Sequence, residues 1–142
     1  MKYVFVYGTL RAGEINDINL AADRNAIARP RHLGLTSLSG RLFDFGTYPG
    51  MVAGAHDAAA KQADQQARVV GDVYEIDDAL LAVLDEIEQV YPGVDGLFVS
   101  KAVSIEVQGE RIDCLYYPVA PGAVAGRPEI ASGDWVEHRR AR

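Results

Sequence analysis

The chain has 142 residues, 49% of them hydrophobic and 24% charged; this is the balance of a soluble globular protein, and the length suits one domain over residues 1–142. Its net charge of −6 argues against a nucleic-acid partner or an anionic membrane surface, because phosphate neutralisation takes clustered Lys and Arg, and no apolar run reaches the roughly 20 residues of a membrane span. A single cysteine, Cys114, excludes an internal disulfide and fits a reducing, cytoplasmic setting, and the start lacks the layout of a signal peptide.

Lys2–Gly8 (KYVFVYG) is a β-branched and aromatic run and reads as a strand. It stops abruptly at Gly8 and runs into Thr9, Leu10, Arg11, Gly13 and Asn16, without the Asn-Gly or Asp-Gly chemistry of a tight hairpin. Asn16 and Asp17 are placed to open a short helix through Leu20–Ala22. His32–Gly46 carries the alternation of one or two strands around Gly40, and Tyr48-Pro49-Gly50 reads as a turn. Residues 53–68 are rich in Ala, Gln and Asp without apolar periodicity, as in a surface excursion. Val69–Ile76 is a strand in which Gly71 marks a bulge or a close approach.

Asp77–Val90 is the strongest helix, with Asp77 as N-cap and Tyr91-Pro92-Gly93 as its end. Leu97–Val119 gives two strands joined by a hairpin at Gln108-Gly109-Glu110. Cys114 and Tyr116 read as core, Trp135 as an anchor for the C-terminus, and residues 137–142, with His138, Arg139, Arg140 and Arg142, as a solvated basic tail. His32, His56 and His138 lack ligand spacing, so no metal site is expected. The order is a small mixed α/β (α+β) fold, with short strands able to curl into a barrel around one main helix.

Helical projection isolates one carboxylate. Leu80, Val83, Leu84 and Ile87 form an apolar stripe and Glu86 faces water, but Glu88 falls between Leu81 and Leu84, at the edge of the buried face. It also falls in the last turn, where the helix dipole disfavours negative charge. Burial and dipole both raise such a carboxyl's pKa, which suits a general acid–base. The same position is compatible with a carboxylate that snorkels to solvent or pairs with an Arg.

The stretches VFVYGTLRAG, YPG, GDVYEI, LDEIE with a following Tyr-Pro, and the closing IASGDW together resemble the γ-glutamylcyclotransferase-like family, in its short bacterial branch. The resemblance implies a mixed α/β domain on a β-barrel. It implies that the backbone of Tyr7, Gly8, Thr9 and Leu10 receives an anionic or carbonyl oxygen of the substrate, and that Glu88 is the catalytic acid–base. The partner would be a small-molecule γ-glutamyl amide, closed to 5-oxoproline with release of an amine or amino acid. No cofactor or metal is implied. Arg11 and Asn16 either reach the cleft or decorate the loop, and Tyr48 either walls the pocket or belongs to a structural turn. Phe98 and Ser100 stand where the family usually has a Tyr-x-Arg pair, and Gln89 stands where a Gly commonly follows the Glu. Those departures leave a second reading: a small-ligand-binding domain on the same fold without turnover.

Overall fold

The computed structural model describes residues 2–53, 67–89 and 96–142; Tyr91-Pro92-Gly93, His56 and all but the margins of the expected excursion lie outside them. Strand β1 (Lys2–Val6) explains its own composition. It sits inside the sheet, antiparallel to β4 (Arg68–Ile76) and parallel to β6 (Glu110–Tyr116). Both of its faces are covered. Phe5 and the following Tyr7 join the inner core, whereas Val4 and Val6 pack with the helices on the outer face. A strand buried on both sides reads as a continuous apolar run, as this one does.

The sheet has six strands in the order β3-β2-β4-β1-β6-β5. The 14-residue β2 (Arg31–Asp44) pairs with β4 through Arg31–Ser39, then with β3 (Pro49–Ala53) through Gly40–Asp44. Strand β5 (Lys101–Val107) closes a hairpin onto β6. Gln108 and Gly109 both have positive φ in its two-residue turn, the mirror-image geometry that matches strand twist. The far edge curls back, and the Thr36 hydroxyl donates to the Glu106 carbonyl at 2.8 Å. The result is an α+β fold built on a curled half-barrel.

Gly71 is a close approach. A Cβ there would strike the Val6 carbonyl and lie 2.7 Å from the Phe5 ring. The register shift of this strand pair falls instead on β2, between His32 and Gly34.

Helix α1 (Ile18–Arg24) and helix α2 (Asp78–Ile87) cover the outer face. Asp77 caps α2 by accepting from the Leu80 N–H at 2.8 Å. Leu80 and Leu84 are fully buried, each contributing roughly 1.5–3 kcal/mol of burial. No helix among the described residues is long and apolar enough to cross a membrane.

Two expectations are corrected. The turn closes at Tyr48 and does not include Pro49-Gly50. The chain reverses earlier, where the Asp44 carboxylate accepts from the Gly46 N–H at 2.6 Å and Phe45 N–H donates to the Tyr48 carbonyl at 3.0 Å. Pro49 then opens β3, an edge strand whose first position tolerates a missing N–H. Residues 137–142 are not a free tail either. Trp135–Arg140 forms helix α3, capped by Asp134. Arg139 grips Glu14 with two bonds, at 2.8 and 2.7 Å, and Trp135 Nε1 donates to the same carboxylate at 3.1 Å. His138 and Arg142 both reach Asp44, the former at 2.8 Å. Trp135 is buried as expected.

Burial alone would raise the Asp44 pKa. Hydrogen bonds with His138, the Gly46 N–H and Arg142 outweigh it and hold the group at about 2. A carboxyl depressed in the fold stabilises it above the unfolded pKa, and that contribution is lost as pH falls toward the folded value. Thermal melts followed by Trp135 fluorescence should therefore lose stability between about pH 4 and pH 2. Asp44→Asn should melt lower at pH 6 and show a flatter slope over that window.

Candidate active site

Where β1 leaves the sheet, Tyr7–Leu10 borders a cavity of about 260 Å³ whose other walls come from the β2–β3 turn, the end of α2 and the segments before β5 and after β6. Gly8 is required here by proximity. A Cβ would lie 2.6 Å from the Pro49 ring, so only Gly lets the loop and β3 meet. The loop is held through its carbonyls. Those of Gly8, Thr9 and Leu10 accept from the N–H groups of Arg11, Asn16 and Ile18 at 3.1, 2.9 and 2.9 Å. The N–H groups of Gly8, Thr9 and Leu10 themselves donate to no acceptor among the described residues. Successive unpaired N–H groups on a cavity wall suit an anion or a developing oxyanion.

Glu88 lines the same cavity. The helix ends at Ile87, short of the expected Val90, so Glu88 is its C-cap and not a member of its last turn; its N–H still donates to the Leu84 carbonyl at 3.0 Å. The carboxyl is half-buried, no described residue donates to it, and burial pushes its pKa up to about 7. Gln89 follows with φ +58. This is the left-handed conformation that Gly adopts freely and that costs another residue roughly 1–2 kcal/mol. The Gln in place of a Gly therefore changes local strain and not the path of the chain.

The structure brings Tyr7, Gly8, Thr9, Leu10, Asn16, Tyr48 and Glu88 to one cavity. Arg11 does not join them. Its guanidinium is committed to Asp72 at 2.9 Å and Asp134 at 3.0 Å, with only 12% of the side chain exposed. It tethers the loop to β4 and the α3 cap. The Tyr7 side chain also has a structural task. Its hydroxyl donates to the Tyr117 carbonyl at 2.7 Å and accepts from the Met51 N–H at 3.1 Å. Asn16 Nδ2 donates to the Thr9 hydroxyl at 3.1 Å. Tyr48 packs between Phe45 and Phe98, with ring centroids 5.5 and 6.0 Å away. Ser100 is exposed and outside the cavity.

Sequence reading missed Tyr117. It lines the cavity and donates its hydroxyl to Asp85 at 2.6 Å. Burial, then the Asp85 carboxylate, raises its pKa. With its proton given to Asp85, its oxygen is left as an acceptor. Alternation held the signal: Tyr116 faces the inner core and Tyr117 the helix side, where Asp85 and Glu88 lie three residues apart at the end of one helix.

The family model for gamma-glutamyl cyclotransferase, AIG2-like proteins matches residues 4–137. The chain belongs to that family. The rat gamma-glutamylaminecyclotransferase is 25% identical over 130 residues, covering 84% of this chain and 79% of the rat protein. YkqA of Bacillus subtilis is 32% identical over 138 residues, covering 96% of this chain but 42% of its own. The crystal structure of YkqA superposes with a TM-score of 0.66 over 99% of this chain and 41% of that one, at 25% identity. A mouse AIG2-like protein at 22% identity shares the fold, with a TM-score of 0.65 over 92% of this chain and 86% of its own.

A Glu whose pKa is raised in the fold opposes folding once pH exceeds its unfolded value, and the cost is complete above the folded value. Glu88→Gln should therefore melt higher than wild type at pH 8, by at most about 3 kcal/mol, and match it at pH 4. Tyr7→Phe strands the Met51 N–H and the Tyr117 carbonyl. It should lower stability by about 1–3 kcal/mol in denaturant titrations.

Proposed function

We propose that this chain is a γ-glutamyl cyclotransferase acting on small γ-glutamyl amides. The observation that supports it most is a half-buried carboxyl poised at about 7, sharing a cavity with three backbone N–H groups that donate to no described residue. In this reading the Gly8–Leu10 N–H groups receive the substrate's α-carboxylate or the oxygen developing on its γ-carbonyl. Tyr117 and Glu88 accept from the α-ammonium.

Ionised Glu88 takes a proton from that ammonium, and the freed amine attacks the γ-carbonyl carbon. The C–N bond to the leaving amine breaks as the five-membered lactam closes. The α-nitrogen sheds two protons in all. Both end on the leaving nitrogen, one of them by way of Glu88, so 5-oxoproline and an ammonium product form without water. Holding the substrate folded supplies much of the acceleration, because the attack is intramolecular. The reaction as written calls for no cofactor or metal, and residues 1–142 would act as one domain.

The second reading, ligand binding without turnover, is favoured by Phe98, which brings a ring but no hydroxyl to the cavity wall. Incubation with a panel of γ-glutamyl amides and quantification of 5-oxoproline separates the two. Wild type should form product, with a rising limb in kcat/KM near pH 7 as Glu88 ionises. Glu88→Gln should cut turnover by roughly 10²–10⁴-fold. Near-wild-type turnover in that variant would remove Glu88 from the mechanism.

A further inference from the structure

Two walls of the cavity run on to the same helix. Past Leu10, the donor loop continues through Arg11 to Glu14. The Arg11 guanidinium bonds Asp134, the N-cap of α3, at 3.0 Å. Glu14 is a buried carboxylate satisfied from α3, by Trp135 Nε1 at 3.1 Å and by both prongs of Arg139. The far end of α3 holds the other wall. His138 and Arg142 meet on Asp44, and Arg142 Nη1 also donates to the Gly46 carbonyl at 2.8 Å. Asp44 and Gly46 belong to the turn that carries Tyr48.

That turn is tied from Asp44 through to the cavity. Phe45 N–H donates to the Tyr48 carbonyl at 3.0 Å, and the two rings stack with planes 24° apart. The Phe45 ring lies against Gly50, where a Cβ would stand 2.8 Å from it. Displacement of Asp44 is therefore passed through Phe45 to the Tyr48 ring, which lines the cavity.

We propose that α3 is a clamp that sets the spacing of the two cavity walls, with Arg139 positioning the donor loop and Arg142 positioning the Tyr48 ring. Neither guanidinium lines the cavity, so each acts through another group. The planar fork of an arginine suits both tasks, because it reaches two acceptor atoms at once where a lysine offers one point charge. Walls held in place before a ligand arrives spare it the cost of ordering them. The clamp rests on the cavity alone; its effect on KM rests on the cyclotransferase reading.

The test compares Arg142→Ala and Arg139→Lys with wild type. Arg139→Lys keeps a cation beside the buried Glu14, so that the carboxylate is not stranded. The first readout needs no ligand. It follows the 13C ring signals of the tyrosines, with Tyr48 assigned through Tyr48→Phe, and the 15N amide signals of Thr9 and Leu10. Arg142→Ala should shift or broaden the Tyr48 signal and leave the loop amides in place. Arg139→Lys should do the reverse. The second readout is 5-oxoproline release from γ-glutamylbenzylamide. Arg142→Ala should raise KM by about 3- to 10-fold with kcat unchanged within about 2-fold. The rising limb near pH 7 should stay where it is. In a Tyr48→Ala background, Arg142→Ala should change KM by less than about 2-fold, because the two residues act as one unit. Unmoved signals in either variant, or an unchanged KM in Arg142→Ala, would overturn the proposal. So would a KM rise that persists in full without the Tyr48 ring, since Arg142 would then act on the fold at large. If wild type forms no 5-oxoproline, the cyclotransferase reading fails, and the ring and amide signals alone decide the clamp.

Discussion

One buried hydroxyl ties the cavity together. The Tyr7 oxygen donates to the Tyr117 carbonyl and accepts from the Met51 N–H. It thereby links the end of β1, the edge strand β3 and the exit from β6, three segments far apart in sequence. Each brings a wall with it: the Gly8–Leu10 loop, Tyr48–Pro49 and Tyr117. Both of its bonds are made in the core, where a main-chain group without a partner costs more than an exposed one. The spacing of the cavity walls is therefore set by hydrogen-bond length and not by side-chain packing alone.

The same economy shapes the opposite wall. Helix α2 is anchored by Leu80 and Leu84 against the outer face of β1 and β4, and its last turn and C-cap carry Asp85 and Glu88 inward. Asp85 accepts the Tyr117 hydroxyl proton in a 2.6 Å hydrogen bond. Glu88 has no such partner among the described residues, and so burial dominates its titration. Two carboxylates three residues apart thus take different roles because one has a donor and the other does not. Burial sets fold stability against ionisation at Glu88: the ionised form, the one a general base would need, is the form the surroundings disfavour.

Much of this was legible in the sequence where the signal is local. The β1 run, the Asp77 cap, the apolar stripe of α2, the Gln108-Gly109 hairpin and the buried Cys114 and Trp135 all follow from patterns a few residues long. Glu88 was visible as a misplaced carboxylate on that stripe. What escaped was set by distant partners. The basic C-terminus reads as solvated until Glu14 and Asp44 are placed against it, 125 and 94 residues away from Arg139 and His138. Arg11 reads as either reaching the cleft or decorating the loop, and Asp72 and Asp134 hold it away from the cleft. Pro49-Gly50 has the chemistry of a turn, and only the edge position of β3 makes a strand of it.

The donors that the Gly8–Leu10 loop turns to the cavity are main chain. They belong to Gly8, Thr9 and Leu10 as peptide units, so they survive any change of side chain that preserves the path of the loop. The aromatic wall has no such protection, since Tyr48 and Phe98 act through their rings. Divergence on this scaffold is thereby channelled. The half of the site that would recognise the glutamyl group is insulated from point substitution, whereas the aromatic wall is free to drift one side chain at a time. A fold of this kind can acquire new substrates without rebuilding its chemistry.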